Sequence, residues 1–273
     1  MRYLPLDAWL AGAHRPPCLD VRPAGEFAAG HLPASGNVPL PELAERVHEL
    51  PRKGDVLYVV GGARAREAAE LLAARGRWSV AWSDEDPAAW PAASLVTGPP
   101  VPLWRPSAWL EEHWRLIPAG GRVLDLGMGS GRDAVWLALR GFRVAGMDIL
   151  PDAVAFARRL AERHGAALTA QVADLRAPGL LPAGACDGLL VFNFLERDLL
   201  PAMGRALAPG GVVLFETFTE EQARREGRPR NPRWLLRPGE LYEAFSHLDV
   251  LAYREEEAEP GRWVASLAAR RPD

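Results

Sequence analysis

Val123-Leu124-Asp125-Leu126-Gly127-Met128-Gly129-Ser130-Gly131-Arg132-Asp133 decides the fold of the larger part of this chain. Its first four residues are a short apolar run with one acid, the form of a buried strand. Residues 133–139 then repeat apolar side chains at helical spacing. A glycine loop between strand and helix lets a ligand approach bare backbone, because no Cβ stands in the way. Crevices beyond strand ends are where open α/β sheets bind their ligands. Further strands are predicted at 144–148, 168–173, 188–192, 212–215, 250–253 and 263–267. Helices are predicted at 107–116, 152–163, 199–207 and 239–245. This alternation implies an α/β domain with a Rossmann-like seven-stranded sheet and crossover helices.

A glycine loop alone does not identify its ligand, because dinucleotide enzymes use one too. Their fingerprint is G-x-G-x-x-G; here the third glycine comes one residue early, as G-x-G-x-G. The strand also delivers Asp125 two positions before the first glycine. A buried carboxylate repels a pyrophosphate but attracts a sulfonium and an α-amino group. At this point the segment resembles motif I of class I S-adenosylmethionine-dependent methyltransferases. Asp148 and Asp174 end the next two predicted strands, where the resemblance implies contacts to the ribose hydroxyls and the adenine amino group. Cys186 to Asn193 has the form of the fourth strand, and Leu207-Ala208-Pro209-Gly210-Gly211 matches the turn before the fifth. The cofactor-binding set so implied is Asp125, Gly127, Met128, Gly129, Gly131, Arg132, Asp148, Ile149, Asp174, Leu175 and Asn193, with S-adenosyl-L-methionine as the cofactor.

Gly131-Arg132-Asp133 and Phe192-Asn193-Phe194-Leu195-Glu196-Arg197, followed by Leu200-Pro201, are similar to the tellurite-resistance methyltransferase group and its small-molecule relatives. That implies a small acceptor such as a thiol, a metalloid oxyanion or another small anion. Asn193 stands in no N-P-P-Y arrangement, so nothing points to an exocyclic or amide nitrogen. Glu196, Arg197 and Glu216 are the catalytic candidates. Tyr242 and His247 are further possible bases, although His247 reads first as a helix-end residue facing the dipole. The segment after the fifth strand carries Arg224, Arg225, Arg228, Arg230 and Arg233 around Trp234-Leu235-Leu236. It reads as a surface insertion packed on the core, or as a lid whose arginines hold an anion or whose WLL holds an apolar substrate.

Between residues 84 and 105 the chain is dense in proline and small residues, and Gly98-Pro99-Pro100 belongs in neither a helix nor a central strand. The domains are placed at 1–101 and 102–273. In the first, Cys18 to Val21 and Val56 to Val60 read as strands and residues 64–75 as a helix. Leu19-Asp20-Val21-Arg22-Pro23, Gly30-His31-Leu32-Pro33 and Gly62-Ala63-Arg64, with Trp90 near the end, resemble the rhodanese family. The resemblance implies a small parallel-sheet α/β domain. It places the sulfur-carrying cysteine at Val59, which has no lone pair and forms no persulfide. His31 is expected to stack within a tight turn. The domain is therefore expected to be a catalytically inactive docking, dimerisation or regulatory module, available for a protein partner or self-association.

The 273 residues suffice for two domains of roughly 100–150 residues each. A net charge of −3 gives no basic field for nucleic acid or an anionic membrane. Cys18 and Cys186 are the only cysteines, which points to a reducing, cytoplasmic setting and to no metal site. No signal peptide or spanning apolar run is expected. The function expected is methyl transfer to a small molecule, the alternative being a non-catalytic S-adenosylmethionine-binding protein with a docking module.

Overall fold

The computed structural model describes residues 1–273 except Lys53, Arg77 and Pro178. The chain divides into two compact units, Met1–Arg105 and Pro106–Asp273. The break falls just beyond the Gly98-Pro99-Pro100 stretch, slightly later than the sequence places it.

The first unit is a parallel five-stranded sheet built from β1 (Arg2–Tyr3), β2 (Cys18–Asp20), β3 (Ser35–Asn37), β4 (Val56–Val60) and β5 (Ser79–Trp82). The order is β1-β5-β4-β2-β3. Helices α1 (Leu6–Ala11), α2 (Ala24–Ala29) and α3 (Arg64–Ala74) flank it. From Leu57 to Val60 the strand carries bulky side chains on both faces because both are covered. Leu57 and Val59 join the cluster with Leu72, while Tyr58 and Val60 join the one with Trp9 and Trp90. The acid of Leu19-Asp20-Val21-Arg22 is fully buried and paired: Arg22 Nη2 lies 2.6 Å from Asp20 Oδ2 and also donates to the Gly30 carbonyl at 2.8 Å. His31 stacks on Phe27 with ring centroids 3.8 Å apart.

The second unit is the predicted seven-stranded sheet. Its strands are β6 (Arg122–Leu126), β7 (Arg143–Asp148), β8 (Leu168–Val172), β9 (Cys186–Phe192), β10 (Leu207–Phe218), β11 (Asp249–Glu259) and β12 (Arg262–Arg270), in the order β11-β12-β10-β9-β6-β7-β8. The strands β6 to β10 are parallel; β12 is antiparallel to β10, and β11 to β12. Helices α4 (Ala108–His113), α5 (Arg132–Ala138), α6 (Pro151–His164), α7 (Leu200–Ala206), α8 (Glu220–Glu226) and α9 (Glu240–Ala244) complete it. Strand period two sorts the core onto two faces. Leu189, Val191 and Phe215 pack with Met203 and Phe245 on one; Leu190, Phe192 and Leu214 pack with Trp109 and Leu137 on the other.

The β11–β12 hairpin is longer than its apolar pattern suggests. Arg254 to Glu259 is too polar to be recognised as a strand, yet it pairs as an edge strand, and charged side chains protect such edges. The Leu207–Gly211 turn is absorbed into β10 with a register shift before Val212. Strand order reverses at β6, which has β7 on one side and β9 on the other. The crevice at their carboxyl ends is a topological switch point.

Candidate functional site

The glycine loop leaves β6 and folds back over β7. The Gly127 and Met128 amides donate to the Met147 carbonyl at 2.9 and 3.0 Å. Asp148, at the end of β7, accepts from the Gly129 amide and from the Leu150 amide, each at 2.9 Å. One carboxylate thus ties two loops together. Gly129 and Gly131 hold φ of +55° and +77°. A Cβ on Gly131 would lie 2.5 Å from the Ala157 Cβ, so this glycine lets α5 cross close to α6. A Cβ on Gly129 would meet nothing within 4 Å and would enter open space.

A cavity of about 450 Å³ lies over these strand ends. Gly127, Asp148, Ile149, Asp174, Leu175 and Asn193 of the predicted set line it. Met128 does not: its side chain is buried against Val154, Ala157 and Ala170. Arg132 opens α5 and, with Asp125, Gly129 and Gly131, lies outside the lining. Asp174 is held by Arg176, whose Nε and Nη2 donate at 2.9 and 2.8 Å, and these bonds lower its pKa below the usual aspartate range. Asn193 adopts φ of +55°, a conformation asparagine tolerates better than most residues. Its Oδ1 accepts from Arg262 at 2.9 Å, and because arginine only donates, the amide nitrogen is left as a donor.

Beneath the loop, Asp125 is 2% exposed. Burial, with repulsion from Asp133 and Asp148, pushes its carboxyl well above the usual range. Its Oδ2 has no hydrogen-bond partner. A buried acceptor without a donor is costly, and such atoms mark sites completed by a ligand. An orphaned carboxylate oxygen and an open space over Gly129, beside a cavity ending in Asp148 and Asp174, fit a cofactor that carries an ammonium, a sulfonium and a ribose. In that arrangement Asp125 would face the cationic end, Asp148 the ribose hydroxyls and Asp174 the base.

Two of the three catalytic candidates are committed elsewhere. Glu216 is buried on β10, and both its oxygens are taken, by Arg262 at 2.8 Å and by the Ser266 hydroxyl at 2.8 Å. Arg197 donates to Glu240 at 2.6 and 2.9 Å and to the Arg233 and Leu235 carbonyls at 3.0 and 2.7 Å. It anchors the segment that carries Trp234. Only Glu196 lines the cavity. Tyr242 and His247 do not; Tyr242 lies edge-on to Tyr253, and His247 packs on Gly204. Phe194, Thr217, Phe218 and Pro229, missed from sequence, close the β9–β10 side together with Trp234 of the lid segment. The WLL of the insertion divides: Leu235 and Leu236 are buried, and Trp234 is 57% exposed at the cavity.

Burial raises the pKa of Glu240, but the hydrogen bonds and charges of Arg197 and Arg237 outweigh it and set the value at about 2. A depressed carboxylate contributes stability above its ordinary value of 4.5, and that contribution is lost as pH falls through about 2. Arg197→Ala is therefore expected to cost about 2–3 kcal/mol at neutral pH, since it strips a buried carboxylate of its main partner. In thermal melts the deficit should shrink between pH 4.5 and 2; a deficit constant with pH would assign the loss to packing.

In the first unit, the loop from Gly61 to Arg64 leads into α3, and Glu26, Asp84 and Asp86 stand around it. Arg64 lies 3.5 Å from Glu26. Val59 is fully buried in β4. Both thiols are buried as well: desolvation pushes Cys18 well up and Cys186 to about 12, and neither supplies a thiolate.

Residues 6–93 match the rhodanese-like domain family and residues 123–211 the methyltransferase domain family. The S-adenosyl-L-methionine-dependent Diels-Alderase iccD of Talaromyces variabilis is 31% identical over 149 residues, covering 50% of this chain and 50% of that protein. The chain thus spans about half the length of that relative. Uncharacterized protein UNK4.09 of Schizosaccharomyces pombe is 25% identical over 93% of each chain, so the similarity runs through both units. Among solved structures, TehB from Haemophilus influenzae has a TM-score of 0.50 at 21% identity, covering 60% of this chain and 61% of that chain, which is a likeness of fold. The chain thus joins two domains, a rhodanese-like domain over residues 6–93 and a methyltransferase domain over residues 123–211.

Proposed function

We propose that this protein transfers the methyl group of S-adenosylmethionine to a small-molecule acceptor bound on the β9–β10 side of the cavity. The orphaned Asp125 oxygen beneath the glycine loop carries the reading, because it calls for a cationic donor beside a sugar-binding carboxylate. The cofactor supplies an already activated methyl, so the chain contributes chiefly position and exclusion of water. Asp148 and Asp174 line one end of the cavity, with Asp125 beneath the glycine loop beside it; Phe218 and Trp234 shield the other end, and Glu196 is the carboxylate available to an acceptor proton. The net charge of −3 supports a small molecule rather than a nucleic acid as substrate. Within the proposal the protein works in the cytoplasm, and the first unit transfers no sulfur. That unit is a docking or self-association module.

Incubation with S-adenosylmethionine and a panel of small acceptors is expected to release S-adenosylhomocysteine. The similarity to a Diels-Alderase favours a second reading, in which the cofactor is held but its methyl is not transferred. Cofactor binding with no S-adenosylhomocysteine from any acceptor would select that second reading.

A further inference from the structure

We infer that the acceptor is a flat, apolar molecule, neutral or cationic, which offers an O–H or N–H to Glu196; oxyanions are not its substrates. The inference rests on the cofactor occupying the β6–β8 side of the cavity. The β9–β10 side is then walled by Phe194, Leu195, Phe218, Pro229 and Trp234. Trp234 is more than half exposed although the two residues that follow are buried, so the lid is anchored beside it and leaves this aromatic side chain largely uncovered. Isolated exposed apolar groups are ordinary, but one on the wall of a cavity is a surface awaiting a partner.

Charge decides the rest. The ionisable groups of the lining are the carboxylates of Asp148, Asp174 and Glu196 against the single guanidinium of Arg176, which is already bound to Asp174. Glu196 is half-buried and makes no side-chain hydrogen bond or ion pair among the described residues. Three of the five arginines that sequence offered as an anion site are turned to other tasks. Arg224 and Arg225 pair with Glu221 at 2.7 and 2.6 Å. Arg230 donates to the Gly227 carbonyl at 3.3 Å. Arg228 and Arg233 are exposed and lie outside the lining. An oxyanion in the cavity would therefore meet three carboxylates, and the guanidinium in the lining is already paired; like charge in a partly desolvated site is strongly unfavourable. A flat apolar molecule gains the aromatic walls, and Glu196 accepts its proton-bearing group.

The test compares 2-naphthol with 2-naphthoate, one ring system bearing two different charges, and with tellurite. Binding to the full chain is followed by calorimetry and by quenching of tryptophan fluorescence, with and without S-adenosylhomocysteine. 2-Naphthol is expected to bind at least about tenfold more tightly than 2-naphthoate, and tellurite not to compete. Trp234→Ala should weaken 2-naphthol about 10- to 100-fold, the usual range for removing an aromatic anchor. Glu196→Gln should narrow the gap between the two naphthalenes. Tighter binding of 2-naphthoate or tellurite, or equal 2-naphthol affinity in wild type and Trp234→Ala, would overturn the inference. A parallel S-adenosylmethionine titration separates the two claims: if the cofactor fails to bind while 2-naphthol discrimination persists, the cofactor reading fails and the apolar site stands.

Discussion

Asp125→Asn is expected to raise the melting temperature of the ligand-free protein and to weaken S-adenosylmethionine binding about 30-fold. The two effects have one origin. The carboxylate is buried beside Asp133 and Asp148, and one of its oxygens has no partner. Asparagine keeps the shape and removes the charge, so the empty protein loses a source of strain. The cofactor then loses a charge-assisted contact of about 2 kcal/mol. The sign with pH follows from linkage. A carboxyl whose folded-state pKa is raised contributes stability below its ordinary value and loses it as pH rises through the folded value. The melting advantage of Asp125→Asn should therefore be largest at neutral pH and vanish in acid, where both side chains are neutral. A variant less stable than wild type at every pH, with unchanged affinity, would make Asp125 an ordinary structural residue. Gains of stability at the expense of binding are the usual signature of a preorganised site.

Gly131→Ala and Gly129→Ala should separate folding from binding within one loop. At Gly131 the new Cβ would stand 2.5 Å from the Ala157 Cβ, with backbone on the same helix at 3.0 Å. Overpacking plus a left-handed φ should cost about 3 kcal/mol or more, seen as a lowered denaturation midpoint. At Gly129 the Cβ enters open space, so only the φ penalty of about 1 kcal/mol applies. That methyl occupies space we assign to the ligand, and cofactor affinity should fall about 100-fold. Equal stability losses at the two positions, or full cofactor affinity in Gly129→Ala, would contradict this division of roles.

What sequence conveyed and what it did not follows from range. The glycine loop, Asp148 and Asp174 are legible because each lies at the end of an apolar run and needs only its neighbours to be recognised. Their roles as lining residues follow from strand order, which puts those ends together. Met128 and Gly131 carry the right motif, yet they serve packing between α5, α6 and β8. That distinction requires the tertiary contacts of Ala157 and Ala170. Glu216 looked like a base because its partner Arg262 is 46 residues away. Arg197 looked catalytic because Glu240 is 43 residues away. Trp234 was visible as an apolar residue in a cationic loop, but only the folded lid separates it from Leu235 and Leu236. The domain break was announced by proline and glycine, and the short strands β1, β3 and β5 were missed because two to four residues carry little period.

The measurement that bears most directly on the cavity is calorimetric titration of the full chain with S-adenosylmethionine, with NAD as the control. Saturable binding at one site per chain is expected, weakened by Asp148→Ala and absent for NAD. No saturable binding of S-adenosylmethionine up to about 1 mM, or binding of NAD in its place, would contradict the assignment of these strand ends to a sulfonium cofactor.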